Sequence, residues 1–113
     1  MKRALVVIDV QNDYFSGVHT ITHPAGSYER ILWAMDAARA KGVPIALVQH
    51  VVPESALGGF KRGTFGGEIT REVRERSHDV VIEKNLPGSF TGTNLEAWLR
   101  QRGIETVAIV GVS

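Results

Sequence analysis

Cysteine is absent from the 113 residues, so neither a disulfide nor a thiolate metal site can form within them, a composition that fits a reducing compartment. Long apolar runs are missing as well. No stretch approaches the roughly 20 apolar residues that a membrane-spanning helix needs, so no membrane partner is expected. Charge of one sign is also scarce: 13 Lys and Arg face 12 Asp and Glu, for a net charge of +1. That balance gives no electrostatic footprint for nucleic acid or acidic lipid. The local cluster of Arg71, Arg74 and Arg76 is interleaved with Glu72 and Glu75 and reads as a solvated helix face. Finally, no glycine-rich turn follows the first apolar run, where Asp9-Val10-Gln11-Asn12-Asp13 stands instead. A dinucleotide fingerprint and a phosphate cradle are both excluded there.

What remains is the composition of a globular protein, 43% apolar and 22% charged, of a length that suits one domain. Met1-Lys2-Arg3 precedes an apolar stretch as in a signal peptide, but Asp9 cuts the stretch short and no small-residue cleavage site follows. The expectation is the first strand of a cytoplasmic protein. That strand is Ala4-Leu5-Val6-Val7-Ile8, apolar without alternation, as in a strand buried on both faces of a parallel sheet. Polarity then flips at Asp9. In open α/β sheets ligands bind at the carboxyl ends of strands, so Asp9 is either part of a site or an anchor for the loop that follows.

Residues 11–26 form a long polar connection with Gly17, Pro24 and Gly26 as breakers and His19 and His23 inside it. Ser27 is placed as an N-cap, and Ile31, Leu32, Met35 and Ala38 recur at helical spacing. The helix is predicted over 28–41, closed by Lys41-Gly42 and blocked by Pro44. Val43 to Val52 gives a second buried strand and completes a βαβ unit. Residues 53–67 hold six helix-breaking Gly and Pro residues, with Phe60 and Phe65 among them. Two phenylalanines in such a loop need something to pack on, either a ligand pocket or a subunit contact. A short polar helix is predicted from Glu68 to Arg76, and a third strand from Asp79 to Lys84. Thr93-Asn94-Leu95-Glu96 has capping-box spacing, with Leu95, Trp98 and Leu99 as the buried face of the next helix. Thr106 to Val110 is predicted as a fourth buried strand.

Asp9 and Lys84 therefore lie at equivalent strand ends, and if the strands are neighbours their side chains meet in one crevice. An ion pair there is either structural or functional. Desolvating two ions makes a buried pair a poor stabiliser, which favours function. Asp9, Asp13 and His50 supply three oxygen or imidazole donors, but their spacing matches no metal motif, and no metal is assigned. Gly111-Val112-Ser113 is an incomplete version of a serine nucleophile turn.

Three ordered stretches carry a resemblance. These are Ala4-Leu5-Val6-Val7-Ile8-Asp9-Val10-Gln11-Asn12-Asp13-Tyr14-Phe15; then Val81-Ile82-Glu83-Lys84 followed by Ser89-Phe90-Thr91-Gly92-Thr93-Asn94-Leu95; then Leu99-Arg100-Gln101-Arg102-Gly103-Ile104 leading into Val107-Ala108-Ile109-Val110-Gly111-Val112. Together they are similar to the isochorismatase-like cysteine hydrolases, which include nicotinamidases and carbamoylsarcosine-type amidohydrolases. The resemblance implies a three-layer αβα, Rossmann-like, doubly wound parallel sheet whose first four strands are present, and a single domain over 1–113 that is incomplete at its C-terminal end. It also implies a catalytic Asp, Lys and Cys, of which Asp9 and Lys84 match the first two. In that chemistry a carboxylate accepts the thiol proton, an ammonium favours the thiolate, and the sulfur attacks an amide carbonyl. Backbone donors hold the oxyanion, the acid returns its proton to the leaving nitrogen, and water opens the thioester.

The cysteine of the family follows the strand that here ends in Gly111-Val112-Ser113, so the nucleophile is expected beyond this chain. Ser113 matches the segment before it and is not promoted to nucleophile. Nicotinamidase-type members carry an aspartate and histidines after the second strand that bind a metal. Here Gln49-His50-Val51-Val52-Pro53 offers a lone His50, so the expectation is a metal-free amidase or another hydrolase of the family, with no cofactor. Phe15, Phe65, Ser89 and Phe90 are candidates for lining the pocket of a small-molecule substrate. Self-association into a homo-oligomer is expected by analogy, with segment 58–67 as a candidate contact. The alternative reading is a catalytically inactive binding or assembly module of the same fold.

Overall fold

The computed structural model describes residues 2–12, 26–52, 64–65, 67–85 and 94–111. Strand β1 (Arg3–Ile8) leads to helix α1 (Ser27–Ala40), strand β2 (Ile45–His50), the short helix α2 (Arg71–Glu75), strand β3 (Val80–Lys84), helix α3 (Leu95–Gln101) and strand β4 (Thr106–Gly111). All strand pairs are parallel, in the order β3-β2-β1-β4. The unbroken apolar run of β1 now has its cause. Leu5 and Val7 point into one core with Ile31 and Met35 of α1 and Val73 of α2, while Ala4 and Val6 point into a second with Leu95 and Leu99 of α3. Helices thus cover both faces, giving the three layers of an α/β sandwich.

Helix α1 buries Ile31, Met35 and Ala38, the face expected from spacing. Its stop is a Schellman turn: the Gly42 N–H donates to the Arg39 carbonyl at 3.1 Å and the Val43 N–H to the Ala38 carbonyl at 2.8 Å. That turn needs the left-handed backbone that Gly42 adopts, with φ 69°. Its start differs from expectation. Gly26, with φ 79°, occupies the N-cap position and Ser27 is the first helical residue, with no side-chain capping bond. Helix α3 likewise begins after Asn94 without a side-chain cap, and Thr93 of the expected capping box lies outside the described residues. Leu95 and Leu99 are buried while Trp98 is half-buried.

One expectation for the sheet is corrected. Strand β4 is not buried: its residues are exposed or half-buried throughout, and Ile109 is 59% exposed. The composition of β4 matches that of a central strand, but its place at the sheet edge leaves one side without a neighbour among the described residues. The junction with β1 is nonetheless close. A Cβ on Gly111, where φ is 150°, would stand 2.1 Å from the Ile8 carbonyl oxygen.

Candidate functional site

The site is built where β1 ends. Asp9 adopts a left-handed backbone, φ 58°, the only non-glycine among the described residues with positive φ. Aspartate tolerates this region better than most residues because its short polar side chain bonds locally. The kink breaks the extended line of β1 and leaves the Asp9 side chain buried at the carboxyl edge of the sheet. Its own amide still donates to the Val48 carbonyl at 2.9 Å, so the kink sits immediately past the last β1–β2 pair, Ile8 with Val48.

Lys84 arrives from the far side. It is the last residue of β3 and pairs in register with His50 of β2. Strands β1 and β3 are not neighbours, since β2 lies between them. The expectation that the two side chains meet is met, but its premise of adjacent strands is not. Two inter-strand spacings amount to roughly 10 Å, a gap that the long lysine stem and the aspartate arm close together. Lys84 Nζ lies 3.0 Å from Asp9 Oδ2, with side chains only 2% and 4% exposed.

The two carboxylate oxygens are unequal. Oδ2 takes the ammonium, whereas Oδ1 is buried with no hydrogen-bond partner among the described residues. Burial holds the Asp9 carboxyl above its ordinary value of 3.8, opposed by the hydrogen bond and charge of Lys84 and, more weakly, by the charge of His50. A carboxyl raised in this way holds its proton nearer to neutral pH, and its unengaged oxygen is an acceptor. That combination is what a general acid–base group requires.

The segment after Asp9 is tied down by backbone pairing. The Thr70 N–H donates to the Val10 carbonyl at 2.9 Å and the Asn12 N–H to the Glu68 carbonyl at 3.0 Å, around an antiparallel bridge between Gln11 and Ile69. Gln11, read from the sequence only as a polar neighbour of Asp9, has no exposed surface. Its Nε2 donates to the carbonyls of His50 at 2.8 Å and Gly67 at 2.7 Å, and its Oε1 accepts the His50 N–H at 2.8 Å. The Gln49 amide donates to the same Gly67 carbonyl at 2.8 Å.

Of the other candidates, Phe65 is described and 70% exposed. Its carbonyl accepts from the Asn12 amide at 2.7 Å, and it borders a cavity of about 500 Å³ with Tyr28, Thr70 and Arg71 that neither Asp9 nor Lys84 lines. Phe15, Ser89 and Phe90 lie outside the described residues, as do Asp13 and most of segment 58–67. The basic cluster on α2 is the solvated face expected: Arg71 pairs with Glu75, Arg74 with Glu68 and Arg76 with Asp36, with partly or fully exposed partners.

Residues 3–113 match the isochorismatase domain. The isochorismatase family protein YddQ of Bacillus subtilis is 34% identical over 99% of this chain and 63% of its own length. The secreted isochorismatase effector Isc1 of Verticillium dahliae is 35% identical over 95% of this chain and 56% of its own. N-carbamoylsarcosine amidase of Arthrobacter is 28% identical over 97% of this chain and 48% of its own length. Among solved structures, a candidate isochorismatase from Burkholderia xenovorans LB400 is 48% identical with a TM-score of 0.87, covering 93% of this chain and 51% of that one. The chain therefore spans about half to two thirds of the length of the relatives it matches. Among the described residues no helix is long and apolar enough to cross a membrane. The secreted relative means that kinship does not fix the compartment.

Proposed function

The chain belongs to the isochorismatase family, and from that premise we propose that it is the part of a cysteine hydrolase that carries two members of the catalytic triad, cleaving a C–N bond of amide type in a small molecule. The observation that supports this most is the buried Asp9–Lys84 pair with its unengaged oxygen. In this reading Asp9 Oδ1 accepts the proton of an incoming thiol. The C–N bond breaks as the tetrahedral adduct collapses, and the same carboxyl returns the proton to the leaving nitrogen. Lys84, anchored on Oδ2, keeps a positive charge beside the site and so favours the thiolate over the thiol. Water then opens the thioester and regenerates the thiol.

The chain holds no cysteine, so the nucleophile of this reaction comes from outside the 113 residues. Kinship with an N-carbamoylsarcosine amidase supports the amide class of substrate. Reading the coding sequence beyond Ser113 tests the proposal. A cysteine is expected within about ten codons, the span of one strand-to-helix turn. Its absence there would leave a binding or assembly module in place of a hydrolase.

A further inference from the structure

In a parallel ladder each strand residue donates to one partner carbonyl and accepts from the amide two residues further on. With Ile8 opposite Val48, a straight continuation of β1 would have the Asp9 carbonyl accept the His50 N–H and the Gln11 N–H donate to the His50 carbonyl. Neither bond forms. The left-handed turn at Asp9 bends the chain, and the Gln11 N–H bonds the Asp9 carbonyl at 2.9 Å instead. Both orphaned groups of His50 are taken by one side chain. Gln11 Oε1 accepts the His50 N–H and Gln11 Nε2 donates to the His50 carbonyl, each at 2.8 Å.

We infer that Gln11 is a positioning residue of the site: its side-chain amide replaces the strand pairing that β1 gives up at Asp9, and so fixes Asp9 against the end of β2, beside which β3 holds Lys84. A primary amide is the side chain for this task, because it offers one acceptor and two donors in the geometry of a peptide group. Its second donor bond, to Gly67, locks the turn from the other side. Lys84 is tied to the same point, since it pairs in register with His50 and its carbonyl accepts the Val51 N–H at 2.9 Å. Without the clamp, the kink at Asp9 would leave the end of β2 unpaired on its β1 side, and the lysine would lose its fixed distance to the carboxylate.

The positioning role of Gln11 rests on the hydrolase reading, whereas the clamp does not, and its test needs no turnover. Gln11→Met keeps the length and loses the bonds, and Gln11→Asn keeps the amide on a stem too short to reach both His50 groups. In each variant, NMR titration of the Asp9 carboxyl is expected to shift from that of the parent chain, because the burial that raises it and the Lys84 contact that lowers it both depend on the clamp, with the helical circular dichroism retained. Both variants keep Lys84 and His50 in the sequence, the charged residues that act on this carboxyl, so a shift reports their placement and the entry of water. An unchanged Asp9 titration in a folded variant overturns the inference. Should neither variant fold, hydrogen exchange in the parent chain decides: the His50 amide is expected to be as protected as that of Val48, and exchange at the rate of an unstructured peptide overturns the clamp. Loss of hydrolysis in Asp9 or Lys84 variants bears on the catalytic reading alone.

Discussion

Lys84 Nζ stands 3.0 Å from Asp9 Oδ2 although a whole strand separates the segments that carry them. The contact is made over the end of β2, and three features make it possible: a left-handed backbone at Asp9, a long flexible cation at the end of β3, and a glutamine that secures β2 beneath them. Burying both charges costs desolvation energy that a structural link could avoid with apolar residues.

Breaking the pair from one side should therefore be worse than removing it. Asp9→Asn keeps tolerance for the left-handed backbone but strands a buried ammonium, and Lys84→Met strands a buried carboxylate. Each single variant is expected to lose about 3–5 kcal/mol. The double variant should lose clearly less than the sum, as read by urea unfolding. Strict additivity would mean that the two charges do not interact.

The raised Asp9 carboxyl also sets a pH dependence. The folded state binds a proton that the unfolded state has already released, so this group's contribution to stability is present below 3.8 and is lost as pH rises through its higher folded value. Glu75, held below its ordinary 4.5 by Arg71, acts in the opposite sense and loses its contribution as pH falls. Subtracting the Asp9→Asn variant isolates the Asp9 contribution. Melting temperatures of the parent should fall relative to the variant as pH rises from 3.8 through that window, and an offset independent of pH contradicts the assignment.

Gly111 governs the join between β1 and β4. Because a Cβ there would meet the Ile8 carbonyl oxygen at 2.1 Å and backbone cannot yield as a flexible side chain does, Gly111→Ala should cost about 3 kcal/mol. Denaturant unfolding of the variant checks this. A loss under about 0.5 kcal/mol, the range of an innocuous surface change, would mean that the strands do not approach so closely.

Much of the architecture is written in local pattern. The apolar run at Ala4–Ile8 announces a strand covered on both sides, and the Ile31, Met35 and Ala38 spacing with Gly42 beyond it announces α1 and its end, because each depends on neighbours in sequence. Strand β4 shows the limit. Thr106–Gly111 has the composition of a central strand, yet it is exposed because no strand lies beyond it among the described residues, and strand order is not a matter of neighbours in sequence. The N-cap of α1 was not legible either, since Ser27 is the better capping side chain and only the left-handed backbone of Gly26 moves the boundary.

The site divides in the same way. Asp9 and Lys84 could be picked from charges at strand ends, but not that one would reach across an intervening strand to the other. Nothing in the residue pattern marks Gln11, because its role arises from the turn at Asp9, which no residue pattern encodes. The one signal in the sequence is a glutamine between Val10 and Asn12 just past the end of an apolar run, and polar residues are common there for many reasons.

The most direct test of the proposed hydrolysis is the rate at which a longer chain that supplies a cysteine after Ser113, and the same chain carrying Asp9→Asn, hydrolyse one amide substrate, expressed per folded molecule. If the unengaged oxygen of Asp9 is the proton acceptor, kcat should fall by about 10²–10⁴-fold, the usual contribution of a positioned acid–base group. A kcat within about twofold of the parent, far below that contribution, would contradict the account.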